Sequence, residues 1–327
     1  MAGHSIILNK DTFDPALAPQ DLVELNESII AFQKTRPDTW SLPLDAVRQA
    51  RREGKGVFPL VEPDPDAKIL TVTGRSGHEI ALRTMLPRSG APTGTYLHIH
   101  GGGWVFGEPV ESDARLRSLA EETGLAVASI DYRLAPEHPF PAAPDDCEDA
   151  ALALADGRIE GLPTGFLAIG GESAGAHLSV LTLLRLRDRG RGGAFHAANL
   201  VAGCYDLSLT PSVRRFGSER LVLNTDDIKE FVLRFVPDDI GLKDPAVSPI
   251  QADLSNLPPA LFSVGTRDLL FDDSLFMAAR WLAAGNRATL SSWNGGCHVF
   301  HAFDTRTSRA ANQEAERFLI EAMKERA

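Results

Sequence analysis

The sequence predicts an α/β fold: a mostly parallel central sheet with helices on both faces and a helical cap over one edge. Three observations carry this. From residue 67 onward, short β-rich runs alternate with helical patterns, the order that yields parallel strands joined by crossover helices. One run, residues 125–130, is apolar but for Ser129, as expected of a strand buried on both faces. Another, residues 166–169, passes through glycines and a serine straight into a segment with Leu178, Leu181, Leu184 and Leu186 at roughly helical spacing.

Taken in order, residues 19–34 place Leu22, Leu25, Ile29 and Phe32 on one helical face before Pro37 ends the segment. Residues 44–52 form a second amphipathic stretch that stops at Gly54, and Pro59, Pro63 and Pro65 mark an extended linker. Neither stretch is flanked by strand signals, so residues 1–57 are expected to be the N-terminal part of the cap and residues 58–327 the catalytic domain. Strands are predicted at 68–73, 79–86, 95–99, 125–130, 166–169, 197–202, 260–264 and 288–293. Helices are predicted at 113–122, 145–154, 174–187, 272–284 and 306–325.

One interval breaks the alternation. Between Cys204 and Pro258 the chain runs far longer than a compact connection needs, which marks an inserted functional element. Within it, Thr225-Asp226-Asp227 opens a helix with Ile228, Phe231, Val232 and Phe235 on one face. Residues 205–250 are therefore expected to be the second part of the cap, because neither apolar stripe can be buried alone.

Composition narrows the function classes. The chain has 327 residues, 43% of them hydrophobic and 24% charged, enough for a sizeable core. A net charge of −11 argues against nucleic acid as a partner, since phosphate binding needs a clustered positive field. Arg185, Arg187, Arg189 and Arg191 form the densest basic run and read as a solvated helix end. The first ten residues carry neither a long apolar core nor a basic flank, so no signal peptide or membrane span is expected and the expected location is cytoplasmic. Cys147, Cys204 and Cys297 are far apart, with no Cys-x-x-Cys pair, which suggests neither a disulfide framework nor a zinc site. No metal and no other cofactor is expected. The sequence leaves the oligomeric state open, a homodimer included.

The chemistry concentrates in two motifs. Gly171-Glu172-Ser173-Ala174-Gly175 sits on the corner between a strand and a helix, where small residues permit a strained turn that lifts the Ser173 hydroxyl above the sheet at a helix N-terminus. His100-Gly101-Gly102-Gly103-Trp104 follows an early strand, and its consecutive glycines let backbone N–H groups approach a ligand unobstructed. Trp104 is expected beneath the cap as a wall of the substrate pocket.

With both motifs in hand, the chain resembles the hormone-sensitive-lipase-like esterases (bacterial family IV) of the α/β-hydrolase fold. The run from Asp131-Tyr132-Arg133 to Pro141-Ala142-Ala143, the acidic loop at Asp268 and the late His298 add to the likeness, which extends from about residue 70 to the C-terminus. The resemblance implies that the backbone N–H groups of Gly102, Gly103 and Ala174 form an oxyanion hole. Its chain order of nucleophile, acid and base directs attention to groups after Ser173. Asp268 lies in the loop just beyond a strand, while Asp272 and Asp273 are better placed to cap the helix that follows. For the base, His298 follows the Gly295-Gly296 turn where family members carry theirs, and His301 reads as the start of the last helical region. His98, His100, His138 and His177 precede the acid and read as structural or pocket groups. Departures from the family pattern are Glu172 for Asp or Thr, Ala176 for Gly, Leu269 for Pro and Val299 for Gly. The expected function is a serine carboxylesterase acting on short- to medium-chain or small esters. A ligand-binding receptor-like member, or an amidase or eliminase of the same fold, is the alternative.

Overall fold

The β-rich runs pair into one eight-stranded sheet, seen in a computed structural model that describes residues 8–326. The first seven residues, on which part of the expectation about a leader segment rests, lie outside the described residues. The strands are β1 (Lys68–Thr73), β2 (Glu79–Met85), β3 (Gly94–Ile99), β4 (Ala126–Asp131), β5 (Phe166–Glu172), β6 (Ala197–Val201), β7 (Ala260–Gly265) and β8 (Ala288–Trp293). Their spatial order is β1-β2-β4-β3-β5-β6-β7-β8, with β2 antiparallel to both β1 and β4 and every later pairing parallel. The alternation of strand and helical patterns thus gives the architecture it implies.

The helices are α1 (Gln20–Lys34), α2 (Leu44–Arg52), α3 (Asp113–Thr123), α4 (Ala142–Ala155), α5 (Ala174–Asp188), α6 (Pro211–Phe216), α7 (Thr225–Phe235), α8 (Phe271–Ala283) and α9 (Arg306–Arg326). The two-residue period of the strands divides them between the faces of the sheet. Tyr96, Val127, Ala168 and Ala197 point to the side where Leu116, Leu119 and Ala120 of α3 meet Leu319 of α9. Leu97, Ala128, Ile169 and Phe262 point to the other, packed with apolar residues of α4, α5 and α8. A fully buried aliphatic or aromatic side chain of this kind contributes about 1.5 to 3 kcal/mol, so burial on both faces dominates the stability of the sheet. Among the described residues, no helix is long and apolar enough to cross a membrane.

The two segments outside the alternation pack onto one another. Leu22 and Ile29 of α1 are buried with Leu221, Val222, Cys297 and Phe300. Gln33 donates its side-chain amide to the Val222 carbonyl at 2.9 Å, and Arg220 pairs with Asp38 at 2.9 Å. Helix α7 is capped by Asn224, one residue before the expected start, and Asn224 and Asp227 reciprocate side-chain-to-backbone bonds of 2.9 Å.

Two local readings need correction. The run expected to end at residue 169 continues as strand to Glu172, because its glycines still pair with Asn199 and Leu200 of β6. Helix α8 begins at Phe271, and Asp272 and Asp273 lie inside its first turn rather than capping it. Their carboxylates instead tie down the chain after β6: Asp272 accepts from the Ser212 amide, and Asp273 from the amides of Tyr205 and Asp206 and the Thr210 hydroxyl.

Candidate active site

Ser173 stands at the end of β5 with φ of 55° and ψ of −117°, a conformation that a residue with a side chain adopts only under strain. The turn is held by the Ser173 amide donating to the Val201 carbonyl at 2.8 Å and by the start of α5. Its tightness explains the flanking glycines: a Cβ on Gly171 or Gly175 would lie 1.9 or 1.8 Å from the Ile99 carbonyl oxygen. Larger residues would push β3 away from the serine.

Three side chains far apart in sequence converge here. His298 Nε2 lies 3.0 Å from Ser173 Oγ, and His298 Nδ1 lies 2.9 and 3.1 Å from the two carboxylate oxygens of Asp268. The bridging carboxylate requires a proton on Nδ1, which leaves Nε2 as the acceptor of the serine hydroxyl. Asp268 Oδ1 also accepts the Leu270 amide at 2.8 Å, fixing the carboxylate in the loop after β7. Ser173 is 8% exposed, and Asp268 and His298 are each 3% exposed, so the array is shielded from bulk water yet reachable at the serine.

Gly102 and Gly103 occupy the loop after β3, both at positive φ, and Ala174 opens α5. Among the described residues, the amides of Gly102, Gly103 and Ala174 donate to no protein acceptor. The adjacent Gly101 amide is committed, donating to Glu172 Oε1 at 2.7 Å, while Glu172 Oε2 pairs with His98 Nε2 at 3.0 Å. Burial pushes the Glu172 carboxyl up, but the His98 charge and hydrogen bond and the Gly101 amide outweigh it and hold it at about 2. Glu172 therefore clamps the glycine loop to the strand that carries Ser173, a link that sequence reading missed; the only signal was its departure from the family residue.

A cavity of about 570 Å³ reaches Ser173, His298, Gly102 and Gly103, with Phe58 and Leu60 of the proline-rich linker and Phe231 of α7 among its walls. Trp104 is not among them, contrary to expectation. Its indole stacks on Phe235 at 4.5 Å and donates to His177 Nδ1 at 3.1 Å, so it is buried at 2% exposure beneath α7.

The remaining histidines separate by environment. His100 stacks on Tyr132 at 4.2 Å and donates Nδ1–H to the Gly101 carbonyl, and burial lowers its pKa to about 4. Burial likewise lowers His177 to about 4. His301 sits in a single 3-10 turn before α9, bonded through Nε2 to Ser263 Oγ at 2.8 Å. Cys147, Cys204 and Cys297 are free and buried, and burial raises Cys297 to about 12, which removes it from nucleophilic chemistry despite its neighbour His298.

The chain is similar to known proteins over most of its length. Residues 96–302 match a family described by the alpha/beta hydrolase fold. The carboxylic ester hydrolase LipN of Mycobacterium tuberculosis is 34% identical over 308 residues, covering 91% of this chain and 80% of that protein. The monoclinic form of the Pyrobaculum calidifontis esterase is similar at a TM-score of 0.78 and 32% identity, over 88% of this chain and 94% of that one. A hormone-sensitive lipase from a metagenome library is similar at a TM-score of 0.80 and 26% identity, over 94% and 99% of the two chains. The chain belongs to the α/β-hydrolase fold family and, within it, to the hormone-sensitive-lipase-like esterases.

Proposed function

We propose that this esterase hydrolyses small carboxylic esters through an acyl-enzyme on Ser173, with His298 as general base and acid, Asp268 as its orienting carboxylate, and the amides of Gly102, Gly103 and Ala174 as the oxyanion hole. The observation that carries the reading is the unbroken chain from Asp268 through His298 to Ser173, with contacts of 2.9 and 3.0 Å. Ser173 Oγ attacks the ester carbonyl while its proton passes to His298 Nε2. Asp268 stabilises the imidazolium that forms and does not itself take the proton. The carbonyl oxygen, now negative, accepts from the three free amides, aided by the N-terminus of α5. Collapse of this intermediate breaks the bond to the alkoxide, which leaves with the proton from His298. A water then repeats the sequence, giving its proton to His298 and releasing the acid as Ser173 Oγ recovers one.

Residues 1–57 and 205–250 act together as the cap and limit the acyl group. Phe58, Val222, Leu223 and Phe231 give the cavity apolar walls, and about 570 Å³ is room for a small ester, so short to medium acyl chains are favoured over long ones. Inactivation by an alkyl fluorophosphonate tests the assignment. Stoichiometric label on the peptide containing Ser173 is expected, and a label elsewhere, or full activity after labelling, would overturn it.

A further inference from the structure

We propose that Arg115, positioned by Asn312 and His301, forms an anion subsite in the wall of the Ser173 cavity, so that the preferred esters carry a carboxylate on one arm. The inference deepens the esterase reading and rests on it.

Seven charged side chains of Arg and Glu type line this cavity, and most are already neutralised. Arg51 pairs with Glu111 at 2.6 Å, Arg52 pairs with Glu108, and Glu172 is held by His98 and the Gly101 amide. Glu62 is exposed. Arg115 is different. It is half-buried, its Nε–H donates to Asn312 Oδ1 at 3.1 Å, and among the described residues it forms no ion pair. Both terminal nitrogens of its guanidinium are therefore uncommitted, in the fork geometry that matches a carboxylate. Glu316 of α9, one turn beyond Asn312, forms no ion pair with Arg115; burial raises its pKa, and the Arg115 charge offsets that shift only in part.

The arginine is positioned rather than loose. Asn312 donates its amide to the His301 carbonyl at 3.0 Å, which orients the amide oxygen toward Arg115 and joins the two cavity residues through one side chain. His301 is 4% exposed, and its Nδ1 is buried with no hydrogen-bond partner. Burial first, and the Arg115 charge second, lower its pKa to about 3, so it is neutral. The neutral ring shares a hydrogen bond with the Ser263 hydroxyl through Nε2, which holds it in place beneath Arg115's partner Asn312. A cation in the first turn of a helix opposes the helix dipole. A substrate carboxylate on the free guanidinium nitrogens would offset that charge at the helix start.

The test uses the full chain and two matched pairs of esters: monoethyl adipate against ethyl hexanoate for the acyl arm, and the butyryl ester of γ-hydroxybutyrate against butyl butyrate for the alcohol arm. In one pair the charged ester should show kcat/KM about tenfold above its neutral partner, carried mainly by KM. Arg115→Gln should abolish that ratio while leaving neutral-ester turnover within about twofold, and Arg115→Lys should restore part of it. The subsite is overturned if neither charged ester exceeds its neutral partner, or if Arg115→Gln keeps the preference. Should Arg115→Gln fail to fold, the wild-type ratio decides alone. Absence of turnover for all four esters would instead overturn the esterase reading on which the subsite rests.

Discussion

Trp40 donates its indole N–H to Asp227 Oδ1 at 2.8 Å, joining segments 187 residues apart. The same ring meets Phe231 edge-on at 5.0 Å and lies under the Arg234 guanidinium at 4.4 Å, so one side chain ties the N-terminal segment to α7 above the cavity. Trp40→Ala is expected to cost about 2 kcal/mol, lowering the melting temperature by about 3 °C. Because Phe231 lines the cavity, the ratio of short- to medium-chain nitrophenyl ester turnover should change as well. Unaltered melting together with an unaltered acyl profile would show that the two segments do not act as one cap.

Glu172 joins the glycine loop to the serine strand through Gly101 and pairs with His98. Glu172→Gln keeps the shape but removes the charge, so the amides of Gly102 and Gly103 lose their fixed direction. The expected result is a fall in kcat of about tenfold to a hundredfold with KM nearly constant, since the loop acts on the transition state. A change confined to KM would assign Glu172 to substrate binding instead.

His177 gives a pH prediction with a defined sign. Its Nε2–H donates to the Val247 carbonyl at 2.8 Å and its Nδ1 accepts from Trp104, an arrangement that only the neutral ring satisfies. Burial lowers the folded-state pKa to about 4 from the ordinary 6.5. The unfolded chain therefore binds the proton first, and the stability contributed by this group is complete above pH 6.5 and lost as pH falls toward 4. Urea unfolding of the wild type should lose about 3 kcal/mol more between pH 6.5 and 4 than His177→Gln does. Parallel pH profiles would contradict the neutral, donor-and-acceptor role.

The fold was legible because its signals are local and redundant: the largely apolar run of β4, the glycine corner at Ser173 and the helical stripes on α1 and α7 each point to one architecture. The convergence of Ser173, Asp268 and His298 was legible from their places after β5, β7 and β8, where the ends of parallel strands meet on one edge. What escaped were properties set by partners distant in sequence. Asp272 and Asp273 carry the pattern of capping residues, but Ser212, Tyr205, Asp206 and Thr210 claim their carboxylates first. Trp104 sits in the loop that forms the site, yet its side chain turns inward because Phe235 and His177 offer it a stack and an acceptor. Arg115 is one arginine among many in sequence, and only the fold reveals that, among the described residues, it forms no ion pair.

The role proposed for the Ser173 hydroxyl is tested most directly by kcat/KM of Ser173→Ala for p-nitrophenyl butyrate, with the melting temperature recorded alongside. A protein that still melts as the wild type does should lose roughly 10⁴- to 10⁶-fold in activity. A folded Ser173→Ala enzyme that keeps more than about a tenth of wild-type kcat/KM, a loss too small for removal of a nucleophile, would contradict an acyl-enzyme on this residue.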